Sequence, residues 1–467
     1  MRDALNPASG AVWNLRADPA ADDTIAAVLA GAQDFDAISA AIGIVNSQIA
    51  QWNSNGMLAD WQAGASGPAS VPPHIAIALQ AYVRSQRTLP EWADAAKIAR
   101  AEALFMEMSM MSCTLLFCAS LPQCYVVPDL AGVLQLAGQL TEHTDYRIRS
   151  TAAMLFPVMM RGGLTDAAGF GVAQTLKVRL IHATIRHLIL RGNPSDAARD
   201  DAPAVVPPIS PPISPPGAPG LHQALYTQGW DVAQHGLPCN QEELAYTLLT
   251  FHYIFLMGLR KQGIGLLPAD EEAYLHAWNV MGHVLGIERA LMADTMEQAS
   301  ALFSRIQARG RARPYLPDPR PALGAALMQA MADELPLRIL KPLPLLMTRY
   351  LCGPATSADL ALDGQVSLLS RALFAAFMGL TRAIDTLARL VLPEFSLSRM
   401  IGRVVGYNLT VKLLMDQTRP LKLPTELLNQ VDTATRGWHD DPKAPGWVNW
   451  LEQRLTGRRQ AKGKEAR

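Results

Sequence analysis

Residues 175–191, T-L-K-V-R-L-I-H-A-T-I-R-H-L-I-L-R, hold the side chains best placed for chemistry. Read as a helix, they put Arg179, His182 and Arg186 at i, i+3 and i+7, on one face. Val178, Ile181, Ile185 and Leu188 recur at i, i+3, i+7 and i+10 on a second face, about 100° round the axis. Imidazole changes protonation near neutral pH and is the commonest metal ligand, while guanidinium stays charged. One imidazole between two fixed cations suits a haem. The imidazole binds iron, and the cations meet propionates or developing negative charge. The same pattern also describes a helix whose Arg and His side is simply solvated, with the aliphatic stripe facing the core.

Other candidates lie upstream. Glu107 stands in the apolar half of a helical pattern over residues 91–120. A buried carboxylate must be paired or neutralised, so Glu107 is either a site residue or one half of a structural pair. Arg147, Ser150 and Thr151 share a helix face at i, i+3 and i+4. The five cysteines (Cys113, Cys118, Cys124, Cys239, Cys352) are odd in number and form no tight framework, which points to reduced thiols. There is no C-x-x-C pair, no C-x-x-C-H and no H-E-x-x-H, so neither a standard zinc site nor a covalently attached haem is indicated.

Composition narrows the classes further. The 467 residues are 49% hydrophobic, enough for a large core. Lys+Arg and Asp+Glu both number 41, a formal net charge of +0, which argues against nucleic-acid binding through bulk charge. No run reaches ~18 apolar residues, so no transmembrane span is expected. No secretory or twin-arginine signal is evident in the first residues, so a cytoplasmic location is expected, or a secreted one if a signal has been removed.

Almost the whole chain reads as helix, and the period-2 alternation of strands is nearly missing. Residues 1–72 form an N-terminal helical extension, ended by the breaker cluster 64–73. A large helical domain follows over 73–440. Its expected helices include 74–86, 91–120, 129–140, 141–160 with a kink at Pro157, 240–262 capped by Asn240, and 268–285 stopped by Gly286. Later ones are 294–309, 322–335, 366–392, 397–416 and 425–435. Residues 193–220 are a Pro-rich surface insertion that cannot be helix interior. Residues 441–467 make a basic C-terminal tail.

Taken in order, four segments resemble the latex-clearing-protein type of rubber oxygenase, within the wider MpaB-like oxygenases. They are K-V-R-L-I-H-A-T-I-R-H (177–187), G-W-D-V-A-Q-H-G-L-P-C-N-Q-E-E-L-A-Y-T-L-L-T-F (229–251) with G-L-R-K-Q-G-I (258–264), E-E-A-Y-L-H-A-W-N-V-M-G-H-V-L-G-I (271–287), and S-L-P-Q-C-Y (120–125) leading to R-I-R-S-T (147–151). The resemblance covers roughly residues 75–440. It implies an all-α, globin-like domain around one non-covalent b-type haem, with His182 as the axial ligand and Arg179 and Arg186 as its flanking cofactor-binding arginines. It implies Arg147 and Thr151 as catalytic residues on the distal side, O2 as co-substrate, and an isoprenoid-like apolar substrate. The rubber cleavers carry lysine before that threonine, where this chain has Ser150. For the family's distal glutamate the candidates are Gln123 and Glu107.

Three functions follow from this reading. The first is a haem oxygenase that cleaves a carbon–carbon double bond, its apolar pocket lined by Met106, Met108, Met110, Met111 and Phe117. The second is a haem-binding protein of another redox or sensor role, which Ser150 favours. The third is a helical interaction protein without catalysis.

Overall fold

The computed structural model describes residues 12–65, 71–138, 151, 154–198, 203–209, 220–313, 315–333, 338, 341–391 and 446–455. The architecture is all-α. Helices of ten or more residues are α1 (Pro19–Val28), α2 (Phe35–Ile49), α3 (Pro73–Gln86), α4 (Ala95–Glu107), α5 (Pro128–Gly138), α6 (Gly171–Leu190), α7 (Gln241–Lys261), α8 (Pro268–Val284), α9 (Met296–Ala312), α10 (Arg320–Asp333), α11 (Leu343–Cys352), α12 (Leu368–Val391) and α13 (Gly446–Leu455). Two strands, β1 (Val205–Val206) and β2 (Trp230–Asp231), pair antiparallel at the stem of the Pro-rich insertion. The expected helices at 397–416 and 425–435, and the tail beyond 455, lie outside the described residues.

Local chemistry sets the helix ends. Asn240 accepts from the backbone N–H groups of Glu242 and Glu243, both at 3.0 Å, and starts α7. Asp94 does the same for α4 through Ala96 and Lys97. Pro268 opens α8 at a position where the missing N–H costs nothing. Gly286 follows α8 at φ +90°, a left-handed turn that suits glycine.

The expected continuous helix over 91–120 is instead broken. α4 stops at Glu107, a short helix runs Ser109–Leu115, and Leu116–Ser120 is π-helical before Leu121–Cys124. Pro122 lacks an N–H and cannot continue an i→i−4 ladder, which fits a relaid backbone just ahead of it. π-helical turns concentrate at functional sites, and this one packs against α7 and α11.

Residues 12–65 do not hang off the fold. α1 packs on both α6 and α3, and Trp13, Ile25, Val45, Ile49 and Trp52 enter the main core. Asn55 closes the gap between this segment and α6. Its Oδ1 accepts from the N–H groups of Val172 (3.0 Å) and Ala173 (3.2 Å), and its Nδ2 donates to the carbonyls of Gly163 and Asp166. An asparagine 117 residues upstream thereby caps the α6 N-terminus, where Phe170 offers no side-chain cap.

Candidate functional site

α6 sits between α1 and α8, and its two arginines are turned inward, against the simple expectation. Arg186 is 0% exposed and Arg179 6%, whereas of the aliphatic stripe Ile181 is 43% exposed, Val178 and Ile185 are half-buried and Leu188 is buried. The stripe of charges points inward because it finds countercharge there. Asp18 takes Arg179 in a fork, Nε to Oδ2 at 2.5 Å and Nη2 to Oδ1 at 2.7 Å. Arg179 Nη1 also donates to Gln86 Oε1 (2.9 Å) and the Val284 carbonyl (3.1 Å). Asp22, one turn along α1, takes Arg186 Nε at 2.8 Å, and Arg186 Nη1 donates to the Cys239 carbonyl at 2.9 Å. Asp22 Oδ2 meanwhile accepts from the Asp18 N–H. Charges this deep persist because they are paired and hydrogen-bonded.

His182 lies between the two pairs. Its Nδ1 is buried and has no hydrogen-bond partner. Burial pushes its pKa down to about 4, with the Arg186 charge acting in the same direction and Asp18 against it. The ring is therefore neutral at physiological pH, the form that donates a lone pair. Its neighbour His187 is committed elsewhere. Nε2 of His187 lies 3.1 Å from the Asp22 carbonyl oxygen, which can only accept, so Nε2 carries the proton. His235 and His276 are likewise engaged, with Asp129 (2.9 Å) and the Asp94 N–H (2.9 Å). Among the described residues, His252 on α7 also has a buried Nδ1 without a partner.

Among the described residues no cluster of three or more His, Cys, Asp or Glu could hold a metal ion. A porphyrin brings its own equatorial nitrogens and asks the protein for an axial one. A neutral imidazole with an unpartnered buried nitrogen, on a helix whose aliphatic stripe is open at Ile181, fits that demand. Both arginines already have countercharge in Asp18 and Asp22, and Arg186 keeps one buried nitrogen, Nη2, without a hydrogen-bond partner.

A narrow apolar cavity lies between α4, the π-helical turn, α7 and α8. Phe105, Phe156, Phe251, Phe255, Tyr274 and Trp278 supply aromatic walls, joined by Leu116, Leu155, Ser112 and Ser120. The Met-rich segment contributes, but through other residues than expected. Met108, Met111 and Phe117 are packed into the core and Met106 is half-buried beside it, while Ser112 and Leu116 face the cavity. Thr151 is half-buried and stands one turn before Leu155. Arg147 and Ser150 lie outside the described residues, as does the Met110 side chain.

The buried-carboxylate expectation at Glu107 is corrected. Glu107 is exposed at the end of α4, with its Oε1 3.9 Å from Arg100. The buried carboxylate of this helix is Glu102, which accepts from the Gly162 N–H at 2.9 Å and holds the loop that leads into α6. Burial raises its pKa. Gln123 is also buried and structural. It accepts from Gln307 at 2.9 Å through Oε1, and its carbonyl accepts from the Tyr246 hydroxyl. Sequence periodicity missed Asp18, Asp22 and Asn55, whose partners lie more than a hundred residues away; a lone signal was the Asp18–Asp22 spacing of one helical turn beside Pro19.

Residues 108–383 match the family described as ER-bound oxygenase mpaB/B'/Rubber oxygenase, catalytic domain. The match contains Thr151, Arg179, His182 and Arg186, and leaves out α1 and Asn55. A rubber oxygenase of Streptomyces sp. (strain K30) is 22% identical over 300 residues, 63% of this chain and 58% of that protein. The chain thus spans a little over half the length of that relative. Among solved structures, latex clearing protein LCP in the closed state is similar with a TM-score of 0.56 and 19% identity, over 91% of each chain.

Proposed function

Since the chain belongs to the family of mpaB/B' and rubber oxygenase catalytic domains, we propose that it is a b-type haem-dependent oxygenase. Its reaction on this reading is O2-dependent cleavage of a carbon–carbon double bond in a polyisoprene, isoprenoid or similar apolar chain. The observation that carries the proposal is His182, a half-buried, neutral imidazole whose Nδ1 is buried and unpartnered, on the family-matched helix.

His182 would hold the iron. When bound, a haem supplies the redox chemistry through which O2 reacts with an alkene. The protein supplies the rest. The depressed pKa of His182 keeps a ring lone pair free at neutral pH. The walls of the aromatic cavity are apolar, as an unsaturated chain requires, and the space of about 20 Å³ they enclose must widen to admit one. Thr151, half-buried one turn from that cavity, and Arg147 would donate hydrogen bonds that orient O2 or the alkene. Both atoms of O2 would leave in two carbonyl products, so no external reductant is needed.

Purified protein supplied with haem should show a Soret band and a b-type pyridine haemochrome. His182→Ala should abolish or displace that band. Incubation with O2 and polyisoprene or farnesyl-type lipids should yield aldehyde or ketone products. A wild-type protein that takes up no haem overturns the proposal. Haem uptake without carbonyl products favours instead the second reading, a haem protein of another redox or sensor role, which Ser150 in place of the rubber cleavers' lysine motivates.

A further inference from the structure

We propose that Asp18 and Asp22 are positioning residues of the His182 site: they neutralise the two arginines that flank the imidazole and fix α6 in register and rotation. The inference rests on the reading of His182 as the haem ligand.

Four observations carry it. First, the geometry is a double clamp. Asp18 at the N-cap of α1 and Asp22 in its first turn lie one turn apart, Arg179 and Arg186 two turns apart on α6, and each aspartate engages one arginine. His182 lies between the two points of attachment. Two attachments on one helix remove both sliding along its axis and rotation about it. Second, the clamp is dry. Side chains of all four residues are 7% exposed or less, so each pair is little screened by salt or water. Third, the surroundings are built around it. The carbonyls of Val284 and Cys239 take further guanidinium N–H groups. The turn at Gly286 closes so tightly that a Cβ there would lie 2.5 Å from Asp18 Oδ2 and 2.6 Å from Arg179 Nε. Fourth, α1 lies outside the family-matched residues 108–383. The electrostatic back wall of the site therefore comes from a segment that the matched stretch does not contain.

The consequence is that the imidazole meets the haem with no net charge from the Asp–Arg pairs behind it. Removing one aspartate exposes a cation there, which favours the ferrous state over the ferric. Removing one arginine exposes an anion and does the opposite.

The test is spectroelectrochemical titration of the haem-loaded full chain. Asp18→Asn should raise the midpoint potential enough to change the ferrous-to-ferric ratio at least about tenfold, about 59 mV for one electron. Arg179→Gln should lower it. Asp18→Asn with Arg179→Gln should return close to wild type, and Asp18→Glu should stay there. A merely structural defect would move both single variants the same way. If one single variant does not fold, the other and the double variant still decide the sign. Equal shifts of both singles, or no shift in either, would overturn the inference while leaving the haem reading intact. A wild-type chain without a Soret band overturns both, and is seen before any variant is made.

Discussion

Asp22→Asn tests the lower half of the clamp through folding alone, without haem. The substitution is nearly isosteric and keeps an amide oxygen to accept from the Asp18 N–H, now 3.0 Å from Asp22 Oδ2. What it removes is the charge opposite Arg186. That guanidinium is 0% exposed and would keep only the Cys239 carbonyl as a strong acceptor. Breaking a buried pair by deleting one partner costs about 3–5 kcal/mol, because the remaining charge is left in the interior. Typical domains have about 5–15 kcal/mol in all, so the loss should be unmistakable in a urea titration of apo protein. The same physics predicts a rescue. The pKa of Asp22 is raised because its desolvation outweighs the attraction of Arg186, so the pair as a whole brings little stability. Arg186→Met added to Asp22→Asn removes both charges and should recover at least half of the loss. A loss below about 1 kcal/mol in the single variant, or a double variant no more stable than the single, would refute the argument that charge compensation holds α1 on α6.

Two further outcomes are expected. Gly286→Ala should lower the urea midpoint clearly, since alanine at φ +90° is strained and its Cβ would strike the Asp18–Arg179 pair; Gly265→Ala, where nothing lies within 4 Å, is the control that should stay near wild type. If both behave alike, the packing argument fails. His252 should make the apo protein acid-sensitive: burial pushes its pKa from 6.5 to about 3, so between those values the unfolded chain binds the extra proton and stability falls as pH drops. The limiting slope is about 1.4 kcal/mol per pH unit, and His252→Leu should flatten the difference between urea midpoints taken near pH 7 and near pH 5. An undiminished slope in the variant would count against the assignment.

Much of the helical layout is legible in the sequence because its signals are local. Asn240 caps α7 through its next two or three residues, and Gly286 ends α8 at a left-handed turn, both as read from residue type and position. His182 stood out because Arg-x-x-His-x-x-x-Arg on a helix is a pattern within a few residues. The side that α6 buries was not legible. Periodicity assigns aliphatic residues inward and arginines outward, and only the distant Asp18 and Asp22 reverse the preference. Glu107 was misplaced for a related reason. The apolar run hid the end of α4 at Glu107, which leaves that side chain at an exposed helix terminus, while the buried carboxylate proved to be Glu102, one turn and a half earlier. The breaker cluster before Pro73 suggested a separate extension, although α1, Asn55 and Trp52 are built into the body of the fold.

The distance in sequence between α1 and α6 has a consequence for biosynthesis. Asp18 and Arg179 are 161 residues apart. At a ribosomal pace of about 5–20 residues per second, α1 emerges roughly 8 to 32 s before its partner helix does. During that interval α3 is already made and can cover part of α1, but Asp18 and Asp22 have no arginine to meet. The α1–α3 contacts can therefore form before the clamp does, and the clamp closes last, once α6 is made.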